Sequence, residues 1–302
     1  MSQSVLTIPR LQNEEAAYAY VEARLWPNGP VCPHCGATER ISKMKGKATR
    51  IGLYKCYVCR KQFTVKIGTI FEDSHIPLRI WLQAIYLLCS SKKGISSNQL
   101  YRTLGITLKS AWFMSHRIRE AMREGELAPF GSIVESDETF LWNDPEKPVR
   151  RGYMHKNKIL SLVDRESGEA RSTVIDDVTA KTIVPILKEN IAKEARVMTD
   201  DAGQYTYLTD HFSDHGVVRH SQGEYVSFAD PSIHTNTVEG YFSIFKRGMK
   251  GVYQHCAKKH MHRYLAEFDF RYTNRIARGV DDSDRAEKLL RGVVGKRLMY
   301  KS

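Results

Sequence analysis

Three acidic residues and one lysine stand out for the chemistry they could do together: Asp137, Asp200 and Glu239, with Lys246 seven residues after the last. Asp137 lies in an apolar-flanked run from Ile133 to Leu141. Asp200 ends the short run Val197-Met198-Thr199-Asp200, and Glu239 sits in a stretch from His234 to Arg247 that reads as a helix. Two strand carboxylates and one helix carboxylate can converge on a pair of hard divalent cations, which prefer oxygen ligands. Metal-assisted phosphodiester chemistry requires such a pair. Side chains alternate along a strand, so Glu135 and Asp137 share one face and Ser136 and Glu138 the other. In the helix, Asn236, Glu239, Ser243 and Lys246 fall at spacings of three, four and three, one polar stripe. Val238, Phe242, Phe245 and Met249 form an apolar stripe beside it. An ordinary amphipathic surface helix would explain the apolar stripe. It would not explain a lone acid on a strongly basic segment.

A second cluster is built from sulfur. Four of the six cysteines form Cys32-Pro33-His34-Cys35 and Cys56-Tyr57-Val58-Cys59, with twenty residues between the pairs. Each pair supplies two thiolates from one turn, and two such turns complete a tetrahedral Zn²⁺ site, a zinc ribbon. His34 reads as a surface residue within the first knuckle, not a ligand. Cys89, in an apolar helix around Trp81 to Leu88, reads as core packing.

The elements that must position these groups follow. After Gly94, a Ser-initiated helix around 96–104, a glycine at 105 and a Thr-initiated helix from 107 make a helix-turn-helix signature. Lys109, Ser110, His116 and Arg117 are its candidate DNA-facing residues; a plain helical bundle would show the same periodicity. From 132 to about 230 the chain alternates. Strand-like runs cover 133–141, 158–164, 171–175 and 195–199, a tight turn at 164–169 joins the second and third, and a helix covers 180–191. This pattern predicts a mixed α/β sheet, followed by a basic helical region.

Composition narrows the partners. The chain has 302 residues, 42% of them hydrophobic, and a formal net charge of +12. Its pI is about 9.4. The charge is concentrated: nine Lys/Arg and no Asp/Glu from Arg40 to Lys66, and fifteen against six from Tyr241 to Ser302. Two basic regions flanking a carboxylate site suit a long polyanion, nucleic acid above all. There is no apolar run of membrane-spanning length and no signal-peptide pattern, so the expected location is cytoplasmic and nucleoid-associated, with no membrane partner.

These residues resemble a family, the DDE transposases of bacterial insertion sequences, in the group with an N-terminal zinc ribbon. The resemblance runs through Cys32-Pro33-His34-Cys35-Gly36, Tyr54-Lys55-Cys56 and Cys59-Arg60-Lys61-Gln62-Phe63. It continues through Asp137-Glu138-Thr139, Thr199-Asp200, His220-Ser221-Gln222-Gly223-Glu224-Tyr225-Val226 and His234-Thr235-Asn236-Thr237-Val238-Glu239-Gly240. It ends with Phe245-Lys246-Arg247-Gly248, Tyr264-Leu265-Ala266-Glu267-Phe268 and Phe270-Arg271-Tyr272-Thr273-Asn274-Arg275.

It implies a ribonuclease-H-like catalytic domain with Asp137 on the first strand, Asp200 at the end of the fourth and Glu239 on the helix after the sheet. It also implies two Mg²⁺ ions held by these three carboxylates, with Lys246 as a further catalytic residue and Arg247 beside it at the DNA. The stretch from Trp142 to Pro148 lacks the glycine-rich run expected after the first aspartate. Asn236 is the alternative third ligand, since some relatives carry Asn or His there, and Asp201 is the rival to Asp200.

The expected domains are a zinc ribbon over 1–70, a helix-turn-helix-like DNA-binding region over 75–125, a ribonuclease-H-like catalytic domain over 130–278 and a basic tail over 279–302. The expected function is metal-dependent DNA cleavage and strand transfer at the ends of an insertion sequence, by a homo-oligomer on its terminal repeats and target DNA. The alternative is a zinc-ribbon and helix-turn-helix DNA-binding protein whose nuclease-like domain is inactive. A stand-alone metal-dependent nuclease on the same fold is a third reading.

Overall fold

The computed structural model describes residues 4–123, 125, 127–296 and 298. The chain divides into two compact units: Met1–Arg123 with Asp281–Ser302, and Glu124–Val280.

The first unit opens with helices α1 (Pro9–Gln12) and α2 (Glu14–Leu25), the latter N-capped by Asn13, whose side chain accepts from Ala16 N at 2.9 Å. Strands β1 (Ile41–Lys43), β2 (Tyr54–Cys56) and β3 (Gln62–Phe63) form a small antiparallel ribbon in that order. Among the described residues its core holds Cys32, Tyr54, Cys56 and Phe63, edged by Trp26 and a few half-buried neighbours. Three helices follow: α3 (Leu78–Ser90), α4 (Ser97–Leu104) and α5 (Leu108–Met122). The boundary chemistry matches the sequence. Ser96 Oγ accepts from Gln99 N at 3.1 Å, Thr107 Oγ1 accepts from Ser110 N at 3.2 Å, and Gly105 closes α4 at φ +64°.

The segment read as a basic tail is not one. Asp282–Arg291 is a helix that buries Arg285, Leu289 and Leu290, and Arg285 donates to Cys89 O at 2.6 Å. Counting charge hid the amphipathic spacing of Arg285, Leu289 and Val293, which bury together on the α3 side of this unit.

The second unit is a mixed α/β domain around a five-stranded sheet of β4 (Ile133–Asn143), β5 (Lys156–Asp164), β6 (Ala170–Ile175), β7 (Arg196–Asp200) and β8 (Asp214–Val218). The order is β6-β5-β4-β7-β8. β4, β5 and β6 pair antiparallel, while β7 runs parallel to both β4 and β8. This is a ribonuclease-H-like sheet. Helix α6 (Ala180–Asn190) buries Ile183 and Leu187 on the face that carries Val134, Leu160, Leu162 and Val197. Helices α7 (Asn236–Gly248) and α8 (Lys258–Thr273) cover the opposite face, against Leu141, Ile159 and Val163. The predicted apolar stripe, Val238, Phe242, Phe245 and Met249, is buried, and Tyr241, outside it, is buried as well. No helix among the described residues is long and apolar enough to cross a membrane.

Helix α7 is anchored to β4 by one buried carboxylate. Glu135, fully inaccessible, accepts from the backbone N–H groups of Thr237 at 2.7 Å and Val238 at 2.9 Å, and from Thr237 Oγ1 at 2.7 Å. It satisfies orphan donors of the helix N-terminus and sits at the positive end of its dipole. Arg165 Nε meets the same carboxylate at 2.6 Å and fixes the approach to α7 through Ser232 O and His234 O. Glu135→Ala is therefore expected to cost about 3 kcal/mol, because it removes the buried acceptor shared by a half-buried guanidinium and two amides of the helix N-terminus. Denaturant unfolding of the variant checks this.

Candidate active site

The sheet register brings the first two candidate carboxylates to one face. In the parallel pair β4·β7 the last aligned residues are Glu135 and Met198. Asp137 and Asp200 each lie two residues further on, so both side chains leave the sheet on the Glu135 side, where α7 packs. Glu239 stands one turn into α7. Its Oε1 accepts from Thr235 Oγ1 at 3.0 Å and lies 3.4 Å from His220 Nε2. Ala202 N donates to Asp200 Oδ1 at 3.1 Å, and Glu138 N to Asp137 Oδ1 at 2.7 Å.

These carboxylates feel one another's charge. Burial first, then the charges of Glu138 and Asp200, and more weakly that of Glu239, push the Asp137 carboxyl up to about 8. Burial also raises Asp200, against a donated backbone N–H and the nearby His220. Burial lowers the Lys246 ammonium, and the charge that opposes this is that of Asp137. Lys246 is thus near enough to the first aspartate to feel its charge. A set of mutually repelling, partly buried carboxylates is the donor chemistry that hard divalent ions stabilise, so the residues present fit Mg²⁺.

Glu138 leaves the other face of β4, where Tyr205 OH donates to it at 2.5 Å and Gln204 Nε2 at 3.2 Å; burial carries it up to about 7. Its role as the polar neighbour of Asp137 was not legible in sequence. Nor was that of His220, whose Nδ1 meets Glu224 O at 3.0 Å. Asn236 is exposed at the first position of α7. Asp201 is exposed and turned to Ser221, whose hydroxyl bond holds it below the usual carboxylate range. Arg247 is exposed, its Nε on Ser243 O at 3.0 Å.

The candidate DNA contacts divide, and Ser110 is half-buried, its hydroxyl accepting from Thr107 Oγ1 at 2.9 Å. Lys109 and Arg247 are exposed. His116 and Arg117 are only 1% and 5% accessible, which corrects their reading as DNA-facing. Arg117 donates to Ile70 O at 2.7 Å, Glu72 O at 2.6 Å and Leu298 O at 3.1 Å, and His116 packs on Trp112 with ring centroids 4.1 Å apart. Helix α5 is buried on several sides, and there the guanidinium ties down backbone carbonyls.

In the first unit the thiols of Cys32, Cys35, Cys56 and Cys59 all lie within 4.8 Å of one another. Cys32 and Cys59 sulfurs are 3.7 Å apart, as are those of Cys35 and Cys56. Tetrahedral geometry with a Zn–S bond of about 2.3 Å sets sulfurs about 3.8 Å apart, so the cage fits structural zinc.

A pH prediction follows from Asp137. Its folded value lies above the ordinary aspartate value of 3.8, so the folded form binds a proton that the unfolded chain releases. Stability from this group is complete below 3.8, is lost as pH rises toward 8, and stays lost above. In buffer free of divalent ions, thermal melts should show Tm falling across that window, and Asp137→Asn should flatten the slope.

Residues 129–273 match the ISXO2-like transposase domain, and residues 12–62 match the transposase zinc-ribbon domain. A relative from Halobacterium salinarum, described as an uncharacterized protein in transposable element ISH50, is 27% identical over 263 residues, covering 82% of this chain and 86% of its own. Among solved structures, the simian T-cell lymphotropic virus intasome in complex with PP2A regulatory subunit B56 gamma aligns with TM-score 0.30 and 14% identity, over 56% of this chain and 63% of that one. The Mos1 strand transfer complex aligns with TM-score 0.21 and 12% identity, over 65% and 77%.

Proposed function

We propose that this chain, which belongs to the insertion-sequence transposases with an N-terminal zinc ribbon, cuts and joins DNA at the ends of its element through Asp137, Asp200 and Glu239. The observation that carries the reading is the register of β4 and β7, which turns Asp137 and Asp200 to the sheet face covered by α7, the helix of Glu239. Bound divalent ions would supply activation of the attacking oxygen and stabilisation of the leaving 3′ oxygen. Asp137 and Asp200 would hold them from a rigid sheet, and Glu239 from a helix locked to that sheet by Glu135. Glu239 keeps 41% of its side chain accessible, which leaves a way in for the strand. Lys246, half-buried and within reach of the Asp137 charge, would bind a non-bridging phosphate oxygen and orient the scissile group.

Hydrolysis breaks the bond between phosphorus and the 3′ oxygen and leaves a 3′-hydroxyl. That hydroxyl then displaces a 3′ oxygen from a phosphate of the target strand. The basic surplus supports double-stranded DNA as the partner. Two element ends must be handled together, which suits a homo-oligomer on DNA. The test is cleavage of a duplex carrying the element's own terminal sequence, with Mg²⁺ or Mn²⁺. Lys246→Ala should slow it about 10- to 100-fold, the value of one hydrogen bond to a charged group, without abolishing it. A wild-type chain inert on correct ends with either metal would sink the reading.

A further inference from the structure

Phe228 is 88% exposed and Tyr225 69% exposed. Scattered apolar side chains on a surface need no explanation. These two belong to one loop, and the loop is neither slack nor remote. The Glu224 carboxylate accepts from Arg219 N at 3.1 Å and Phe228 N at 2.7 Å, closing the first half. Ser227 N donates to Ile233 O at 2.9 Å, and Val226 bridges His234. Arg196 Nη2 holds Asp230 at 3.0 Å. The loop then runs directly into α7. It touches the candidate site through His220, which lies 3.4 Å from Glu239 and whose ring stands 5.7 Å from that of Tyr225.

Its charges are sorted as well. Both acids of the loop, Glu224 and Asp230, are used in these internal bonds, while Arg219 is exposed. A tied-down loop beside reactive carboxylates thus turns two aromatic rings and a cation to solvent, with neither acid free. Flat apolar faces next to positive charge match a nucleobase on its phosphate backbone. In a duplex the faces of the bases are closed by their neighbours, so only an unpaired base is open to such a ring.

We propose that Tyr225 and Phe228 stack on unpaired bases of the DNA strand beside the scissile phosphate and so hold the helix end open there. This rests on the reading that the chain acts on DNA. Stacking of this kind tolerates any base, so it adds affinity for opened ends and no sequence preference.

The experiment uses the full chain without added divalent cations and two probes: a short duplex with an unpaired tail containing 2-aminopurine, and the same duplex fully paired. Wild type should quench the tail probe by stacking. The double variant Tyr225→Ala/Phe228→Ala should lose the quenching and bind the tailed duplex about tenfold more weakly, with its affinity for the paired duplex and its thermal melt unchanged. Tyr225→Phe/Phe228→Trp should quench like wild type. Undiminished quenching in the alanine double variant, no quenching by wild type, or equal loss of affinity for both probes would overturn the proposal. A chain that quenches but never cuts in Mg²⁺ would keep the stacking and sink the cleavage reading. A chain that cuts but does not quench would do the reverse.

Discussion

Asp137→Ala, Asp200→Ala and Glu239→Ala should each bring DNA cleavage down to the level of a control without protein, while duplex binding persists. The expectation rests on how the three groups share one task. Asp137 feels the charges of Asp200 and Glu239, so under the proposed reading removal of any one would take a donor from the ions the three would hold. Binding should persist because the net charge of +12 is spread over Lys and Arg, and the deleted groups are acidic. Two controls sharpen the result. Asp201→Ala should cut normally, since Asp201 is committed to Ser221. Asn236→Ala should retain most activity, since an exposed amide adds no charge to the site. A dead Asn236→Ala beside an active Glu239→Ala would move the third ligand. Gel-based cleavage and filter binding on the same end duplex separate the two effects.

Several elements around these residues were legible in the sequence, because their determinants are local. The α7 stripe is a matter of spacing, and Val238, Phe242, Phe245 and Met249 are buried where that spacing puts them. The caps at Ser96 and Thr107 are likewise written in the residues next to them.

What escaped depends on contacts far apart in sequence. Strand β8 is five residues, Asp214-His215-Gly216-Val217-Val218, with no alternation to mark it. Its glycine is explained only by the neighbouring strand, since a Cβ at 216 would lie 2.5 Å from Met198 Sδ. Glu135 shared a face with Asp137 on paper, yet its work as the cap of α7 joins residues about a hundred positions apart. His116 and Arg117 failed in the opposite sense. Charged residues on a helix default to solvent, and nothing local shows that the carbonyls of Ile70 and Glu72 await a guanidinium.

Loss of zinc should be the most damaging change to the N-terminal unit. The ribbon's strands are three, three and two residues long. Tyr54 stacks on Phe63 at 5.8 Å, and Trp26 edges onto both. That core is far too small to offset the ordering entropy of some thirty residues at about 1–2 kcal/mol each. A structural zinc contributes about 10–16 kcal/mol, so metal binding and folding of the ribbon should be one event. Freshly purified, reduced protein should hold about one zinc per chain. Cys32→Ser or Cys59→Ser should abolish it, collapse the amide dispersion of residues 32–63, and weaken DNA binding by removing an ordered surface with nine Lys/Arg between Arg40 and Lys66. The sheet domain has its own core and should keep its dispersion in the same spectra. Native signals from the ribbon in zinc-free, reduced protein would show that the thiols are not there for a metal.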